Sequence, residues 1–600
     1  MKRLAAFVAS FLVIGSLAFA AEKPKLIESK KPIVPIMPLS EVKIGMRGVA
    51  YTVFEGVKPE PMEVEVLGIL RNMAGPKGDV ILVRLHGKKP EYTGVVAGMS
   101  GSPFYIDGKL VGALAYRIGE FSKEPIGGIT PIESMLEINE LDQSYAANEA
   151  AQAAARAQLP SRTSGPGQSP DVQPVQTYLK QIDTPLVFSG FSEEAVRRFA
   201  PQFAQAGIIP VMGVGSASDA KQPEPIEAGS SIGAVLVRGD MDIAATCTVT
   251  YVDPERLLAC GHPLMNFGLV DMPMNKSQVL ATLASPANAF KIATTTEAVG
   301  AFVQDRHTGI LGRFGKQPRM IPVKLNFHGM AQPKSFNFEV LNNAKLTPVA
   351  MMTTIYNAIQ GMNDYGEDTT FRVNGIINVA GFPKLALNNM YAPLDGGNPT
   401  AVQIAMSVGE RFSRIFDNPY ERADIQGVEL NIDLIRERKW ARLETSRTDV
   451  TEARPGDEIV VETVLRPYRG DRIVRQVPIR IPTSTPKGTL RILVSDGDTL
   501  DRMRRTPPVL GRKLDLNSTI ALLNKEHANH RLYVSLLEAN PQAMVEDKVM
   551  PTLPLSVMNV MDGMRGTQDM IVVGESAVSE AYTPLDYVVS GAQVITVNVR

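Results

Sequence analysis

Cysteine is scarce, with two in 600 residues. That excludes a disulfide-dense scaffold and any multi-cysteine zinc site. Neither sign of charge dominates: 62 basic residues against 63 acidic leave a formal net charge of −1. Without a basic excess to neutralise phosphates, nucleic acid is not expected as a main partner. The chain has no His-Glu-x-x-His, no Cys-x-x-Cys and no EF-hand acidic spacing, so no metal is expected. It also lacks Gly-x-x-x-x-Gly-Lys-Ser/Thr, which removes P-loop phosphoryl transfer, and no cofactor is expected. Beyond the N-terminus, no run approaches the ~20 apolar residues that a spanning helix needs. No stable membrane span is therefore expected in the mature chain.

The N-terminus itself is distinctive. Lys2 and Arg3 precede an apolar run from Leu4 to Leu17, and Ala18-Phe19-Ala20 has the small-x-small form of a cleavage site. Residues 1–20 thus read as a secretory signal peptide cut after Ala20, the alternative being a single membrane anchor, for which the apolar run is short. The mature protein is expected in an exported, oxidising compartment, either periplasmic or secreted.

Taken in order, residues 21–40 are Lys- and Pro-rich and suit an extended lead-in. Residues 41–140 alternate as strands, with a helix expected from Thr130-Pro131-Ile132-Glu133, where Thr130 would cap and Glu133 would complete a capping box. Residues 141–172 are Ala-rich, then Ser/Pro/Gly-rich, and suit a flexible linker. A second β-rich unit covers 173–345. A helical or mixed connector is expected over 346–430, a β-sandwich over 431–510, and a small α+β region over 511–600. The segments Gly56–Leu67 and Gly329–Leu341 each carry a Gly/Pro turn and a strand ending Glu-Val-Leu, a short echo between the two β-rich units.

The candidate chemistry starts at Gly98-Met99-Ser100-Gly101-Ser102-Pro103, between the apolar run Tyr92–Ala97 and a hairpin turning at Asp107-Gly108. Glycines allow a tight turn in which the N–H groups of Gly98 and Ser100 can converge on an oxyanion. A plain Gly/Ser-rich turn is the alternative. Among six histidines, His262 stands apart, ending the apolar strand Leu257–Cys260 in a Gly-His-Pro corner. Reflected about the Asp253-Pro254 turn, Cys247 and Cys260 come nearly opposite each other. They suit a disulfide bracing that corner, the alternative being two buried thiols. Asp253, Asp271 and Asp305 are candidates to orient the imidazole, with Asp271 taken as the tentative acid. Gly229-Ser230-Ser231-Ile232-Gly233 matches a G-x-S-x-G elbow, but a strand rather than a helix is expected after it, so Ser231 reads as a turn residue.

The stretches Gly94–Pro103 with Asp107–Ala113, and Thr248–Pro254 with Cys260-Gly261-His262-Pro263, resemble the SpoIVB-type serine peptidases, named for stage IV sporulation protein B. The resemblance spans about 41–140 and 225–345. It implies a mainly β fold, a trypsin-like double β-barrel built from two separated halves, followed by the β-sandwich and the small α+β C-terminal region. It also implies Ser100 as nucleophile and His262 as base. Two features depart from the family pattern. The serine half comes first, as in a circular permutation, and the stretch Arg84–Gly87 lacks the aspartate expected upstream of the serine. The expected function is an exported serine endopeptidase acting on protein or peptide substrates. The alternative is a non-catalytic periplasmic or surface binding protein of the same descent, and the C-terminal β domains are candidates for docking a partner protein.

Overall fold

A computed structural model describes residues 34–119, 124–138, 179–205, 209–213, 221–285, 289–362, 366, 368–504, 514–538, 542–545, 548–550, 556–557, 560, 570–573 and 576–600. The signal peptide and the linker expected over 141–172 lie outside the described residues. No helix among those described is long and apolar enough to cross a membrane.

The fold is mainly β. The first unit holds β1 (Arg47–Thr52), β2 (Glu60–Leu70), β3 (Val80–His86), β4 (Pro103–Ile106), β5 (Lys109–Ile118) and β6 (Ile126–Pro131), in the order β4-β1-β2-β3-β6-β5. Pairing of β4 with β5 closes these six strands into a barrel, and β7 (Leu179–Gln181) adds to β5 from outside. Alternation puts Ala50, Val64, Val66, Ile81, Val83 and Leu85 inside, with Phe104 fully buried among them. Each fully buried large side chain contributes about 1.5–3 kcal/mol. The β4–β5 turn is tight because Asp107 and Gly108 both take positive φ, 49° and 73°. A short helix α1 (Lys88–Thr93) precedes the serine loop.

The helix expected to be capped by Thr130 begins one residue later, with Pro131 in the cap position. Strand β6 runs through Pro131, and α2 covers Ile132–Leu136. The Thr130 hydroxyl donates to the Gly261 carbonyl (2.7 Å), and Glu133 accepts from the Leu39 N–H (2.9 Å). Long-range partners displace the local capping box.

The second unit is one large sheet. Its strands are β8 (Pro185–Ser189), β9 (Ile209–Met212), β10 (Ser231–Gly239), β11 (Asp242–Val252), β12 (Arg256–Ala259), β13 (Gly268–Leu283), β14 (Phe290–Arg306), β15 (Gly309–Phe314), β16 (Met320–His328), β17 (Lys334–Leu341), β18 (Thr370–Val379), β19 (Leu385–Tyr391) and β20 (Ile425–Ile435). The run β10-β13-β14-β15-β12-β11 closes through pairing of β10 with β11. Beyond that ring, β17, β16, β20, β18 and β19 extend the sheet, and helices α3 (Glu193–Gln205), α4 (Leu346–Gln360) and α5 (Thr400–Phe416) complete the unit. Residues 346–430 are therefore not a connector, since α4, α5 and β18–β20 share one hydrophobic core with the ring. The echo of β2 in β17 also breaks down: β2 lies inside the first barrel, and β17 lies outside the second ring.

The C-terminal part is a β-sandwich. A four-stranded sheet containing Trp440–Arg447, Glu458–Pro467, Ile473–Arg480 and Val588–Ser590 faces a five-stranded sheet containing Gly488–Ser495, Arg531–Glu538, Ser576–Pro584 and Ala592–Val599. Their inner faces form one core. The last strands of the chain thus belong to the sandwich, and 511–600 is not a region apart from it.

The two barrels form one body at their contact. Gly56 and Val279 exchange both backbone hydrogen bonds (2.7 and 2.9 Å), and a shared cluster buries Leu110, Ala113 and Ile132 with Tyr251, Leu258 and Leu311.

Candidate active site

The serine loop turns on two glycines with φ of +93° at Gly98 and +95° at Gly101. Gly101 also has no room for a side chain. A Cβ there would lie 1.9 Å from the Thr248 carbonyl oxygen and 2.6 Å from the Cys260 nitrogen. Within the loop, the Met99 N–H donates to Val96 O (3.1 Å), and the Ser102 N–H and hydroxyl both donate to Met99 O (3.0 and 2.6 Å). From the second barrel, the Thr248 N–H donates to Ser100 O (2.7 Å), the Thr248 hydroxyl to Gly98 O (3.0 Å) and the Thr250 hydroxyl to Gly101 O (2.8 Å).

These contacts occupy the loop's carbonyls and leave two amides unengaged. The N–H groups of Gly98 and Ser100 have no acceptor among the described residues. All peptide bonds among the described residues are trans, so a carbonyl held on one side sends the next N–H to the other. Ala97 O is held by the Lys291 N–H (3.0 Å), and Met99 O by Ser102. The Gly98 and Ser100 amides are thereby turned away from both anchors.

Ser100 is fully buried and its Oγ has no hydrogen-bond partner. His262 is 2 % exposed. Its Nδ1 faces the Pro263 carbonyl (2.8 Å), while its buried Nε2 has no partner. Burial pushes the imidazole below its ordinary pKa, against the opposing effects of Pro263 O and the Asp183 charge. A neutral ring beside a carbonyl carries its proton on Nδ1, which leaves the Nε2 lone pair open. Ser100 Oγ and His262 Nε2 are not hydrogen-bonded to each other in this state.

What ties the two neighbourhoods together is Thr248. It donates its N–H to Ser100 O and accepts the Cys260 N–H on its own carbonyl (3.1 Å). Cys247 and Cys260 form a disulfide, with Cα atoms 5.3 Å apart across the β11–β12 hairpin. Cys260 and Gly261 both take φ of +68°, and this kink starts the His262 corner.

Residues 10–136, a stretch that includes strands β1–β6 and Ser100, match the family model of the SpoIVB peptidase S55. This stretch, about a fifth of the chain, is similar to the SpoIVB peptidases. No curated protein and no solved structure matches the chain. The SpoIVB match includes Gly98 and Ser100 and stops short of His262, so the second barrel's contribution rests on geometry alone.

The three candidate carboxylates have other partners. Asp271, on β13, pairs with Lys316 (3.1 Å) and accepts the Arg319 N–H (3.1 Å). It does not orient His262, whose Nδ1 already faces a carbonyl. Asp253 accepts the N–H groups of Glu255 and Arg256 (both 2.9 Å) and the Arg256 guanidinium (3.0 Å). Burial pushes its carboxyl up, and these bonds outweigh that effect and hold it below the ordinary value. Asp305 accepts the N–H groups of Leu264 (2.8 Å), Met265 (2.9 Å) and Phe267 (3.3 Å). It secures the loop that follows His262 rather than the ring itself. Burial raises its pKa to about 6 against those three bonds.

Ser231 opens strand β10 and is followed by no helix, so it is not a nucleophile elbow. No group of metal-ligating residues occurs among those described. A surface cleft of about 700 Å³, lined by Asp242, Asn275, Thr296 and Phe338, includes neither Ser100 nor His262.

Sequence reasoning missed Thr248, Thr52 and Lys291. The Lys291 Nζ donates to the Thr52 hydroxyl (2.6 Å), which lies 3.4 Å from the Thr248 hydroxyl. A weak signal was available. Lys291 shares the inward alternation of β14 with Ala293 and Thr295, an unusual place for a lysine.

Proposed function

We propose that the protein is an exported serine endopeptidase in which Ser100 attacks and His262 accepts its proton. The observation that carries this reading is the pairing of an orphaned Ser100 Oγ with two unengaged amides in a loop of SpoIVB peptidase ancestry. In the reaction, Ser100 Oγ bonds to the scissile carbonyl carbon as its proton passes to His262 Nε2. The Gly98 and Ser100 N–H groups receive the oxyanion. His262 then returns the proton to the departing amine. Water, deprotonated by the same nitrogen, releases the acyl group from Ser100. With Nδ1 on the Pro263 carbonyl, the imidazolium lacks a carboxylate partner, and a dyad fits these residues better than a triad.

Ser100 is fully buried, so the present state is a latent one, and substrate entry requires the barrels to part near Thr248. The disulfide and the N-terminal apolar run support export to a periplasmic or secreted location. The serine half preceding the histidine half fits a circular permutation of the family arrangement.

A second reading is favoured by the same burial and by the missing carboxylate. It makes the protein a non-catalytic binding protein, with the sandwich as a docking module. Labelling with a fluorophosphonate probe, located by mass spectrometry, separates the two. Labelling that is lost in Ser100→Ala and reduced in His262→Gln supports the peptidase. Equal labelling of wild type and Ser100→Ala, with no cleavage of an unfolded casein substrate, establishes the binding protein.

A further inference from the structure

Lys291 is 1 % exposed and belongs to the second barrel, yet it packs against the serine loop of the first. Its backbone N–H holds Ala97 O, the carbonyl whose peptide carries the Gly98 amide. Its side-chain carbons lie 3.3–3.4 Å from where a Gly98 Cβ would stand. Its Nζ donates to the Thr52 hydroxyl, and the Thr248 hydroxyl donates to Gly98 O.

Building on the peptidase reading, we propose that Lys291 is a positioning residue for the oxyanion hole, acting through a Thr52–Thr248 hydroxyl relay that sets the Gly98 peptides. An ammonium can only donate. Thr52 must then accept from Lys291 and turn its own proton to Thr248, which in turn donates to the Gly98 carbonyl. Every hydroxyl in the chain accepts once and donates once. A neutral amine has a lone pair, and Thr52 can then turn its proton back toward Nζ. The relay loses its fixed direction, and the Gly98 carbonyl loses its obligatory donor.

The lysine is poised for that change. Burial alone lowers its pKa to about 7, and no charged group contributes. The groups on it are the Thr52 hydroxyl from β1 and the Ala97–Gly98 backbone, with the Thr248 hydroxyl of β11 one step beyond Thr52. On its own strand, the acid Glu297 is engaged by Lys276 (3.0 Å).

The test compares fluorophosphonate labelling of Ser100 against pH in wild type, Lys291→Met and Lys291→Arg. Wild-type labelling is expected to fall as pH rises through about 7. Lys291→Met should label roughly 10- to 100-fold more slowly and lose that limb. Lys291→Arg, if folded, should keep labelling into alkaline pH. Wild-type rate and profile in Lys291→Met overturn the proposal while leaving the peptidase reading intact. A second readout does not require catalysis: amide hydrogen exchange over residues 97–102. Faster exchange in Lys291→Met than in wild type at pH 6 supports the positioning role even if Ser100 proves unreactive, and unchanged exchange overturns it.

Discussion

The Thr248 N–H donates to the Ser100 carbonyl across 2.7 Å, and the Thr248 hydroxyl donates to Gly98 O across 3.0 Å. One threonine of the second barrel therefore clamps both ends of the Gly98–Ser100 segment. Replacing it by valine keeps the shape and the N–H bond but leaves Gly98 O unsatisfied in a buried place. Thr248→Val should cost about 1–3 kcal/mol in urea unfolding and slow labelling of Ser100. Unchanged stability would show that Gly98 O finds another donor.

Gly101 has the tightest environment in the loop. With φ of +95° and a carbonyl 1.9 Å from a notional Cβ, Gly101→Ala must push the barrels apart. The expected loss exceeds about 4 kcal/mol, seen as failure to fold or a large drop in melting temperature. Gly108→Ala makes the comparison, since no atom lies within 4 Å of its notional Cβ. It should be far milder, carrying only the strain of positive φ.

Asp271 pairs with Lys316 and Arg319 at the end of β13, away from the imidazole's occupied Nδ1. Asp271→Asn is expected to change Ser100 labelling by less than about twofold, within the scatter expected for a surface ion pair. A hundredfold loss would reinstate Asp271 as the acid.

The Cys247–Cys260 disulfide closes a loop with a sequence separation of 13. Chain entropy assigns such a loop about 3 kcal/mol. Cys247→Ala with Cys260→Ala should lower the urea midpoint accordingly. It should also loosen the His262 corner, measured as faster amide exchange across residues 260–264.

Lys291 gives a pH-dependent stability with a definite sign. Its folded pKa of about 7 lies below the ordinary 10.5, so the folded state holds this proton less tightly than the unfolded chain. The cost is full below pH 7 and disappears as pH rises towards 10.5. Lys291→Met should therefore stabilise the protein, by roughly 1–4 kcal/mol at pH 6, with the gain shrinking through pH 9. Calorimetry at the two pH values checks this. A variant that is more stable yet slower to label marks a residue retained for the site rather than for the fold.

Much of the site was legible because its signals are local. Gly98-Met99-Ser100-Gly101 announces a turn through its glycines, and Asp107-Gly108 a hairpin through positive φ. Cys247 and Cys260 are near-opposite by simple reflection about Asp253-Pro254, and the disulfide forms there. The helix start at Thr130 misled, because that hydroxyl is claimed by Gly261, far along the chain. Asp271, Asp253 and Asp305 looked alike as sequence. Their roles diverge only through partners that folding supplies: Lys316, the turn amides at Glu255 and Arg256, and the loop amides from Leu264 to Phe267.

By itself, the sequence determined the strand-rich character and the glycine-bound serine loop, and it left the cysteine pairing as one of two alternatives that the fold decided. The first two follow from side-chain period and backbone freedom over a few residues. Tertiary structure alone decided that β18–β20 extend the second sheet and that the last strands enter the sandwich. It also decided that Lys291, Thr52 and Thr248 meet behind Gly98. Burial and hydrogen bonding between distant segments set those outcomes, since a lysine's charge and a threonine's donor direction depend on which atoms enclose them.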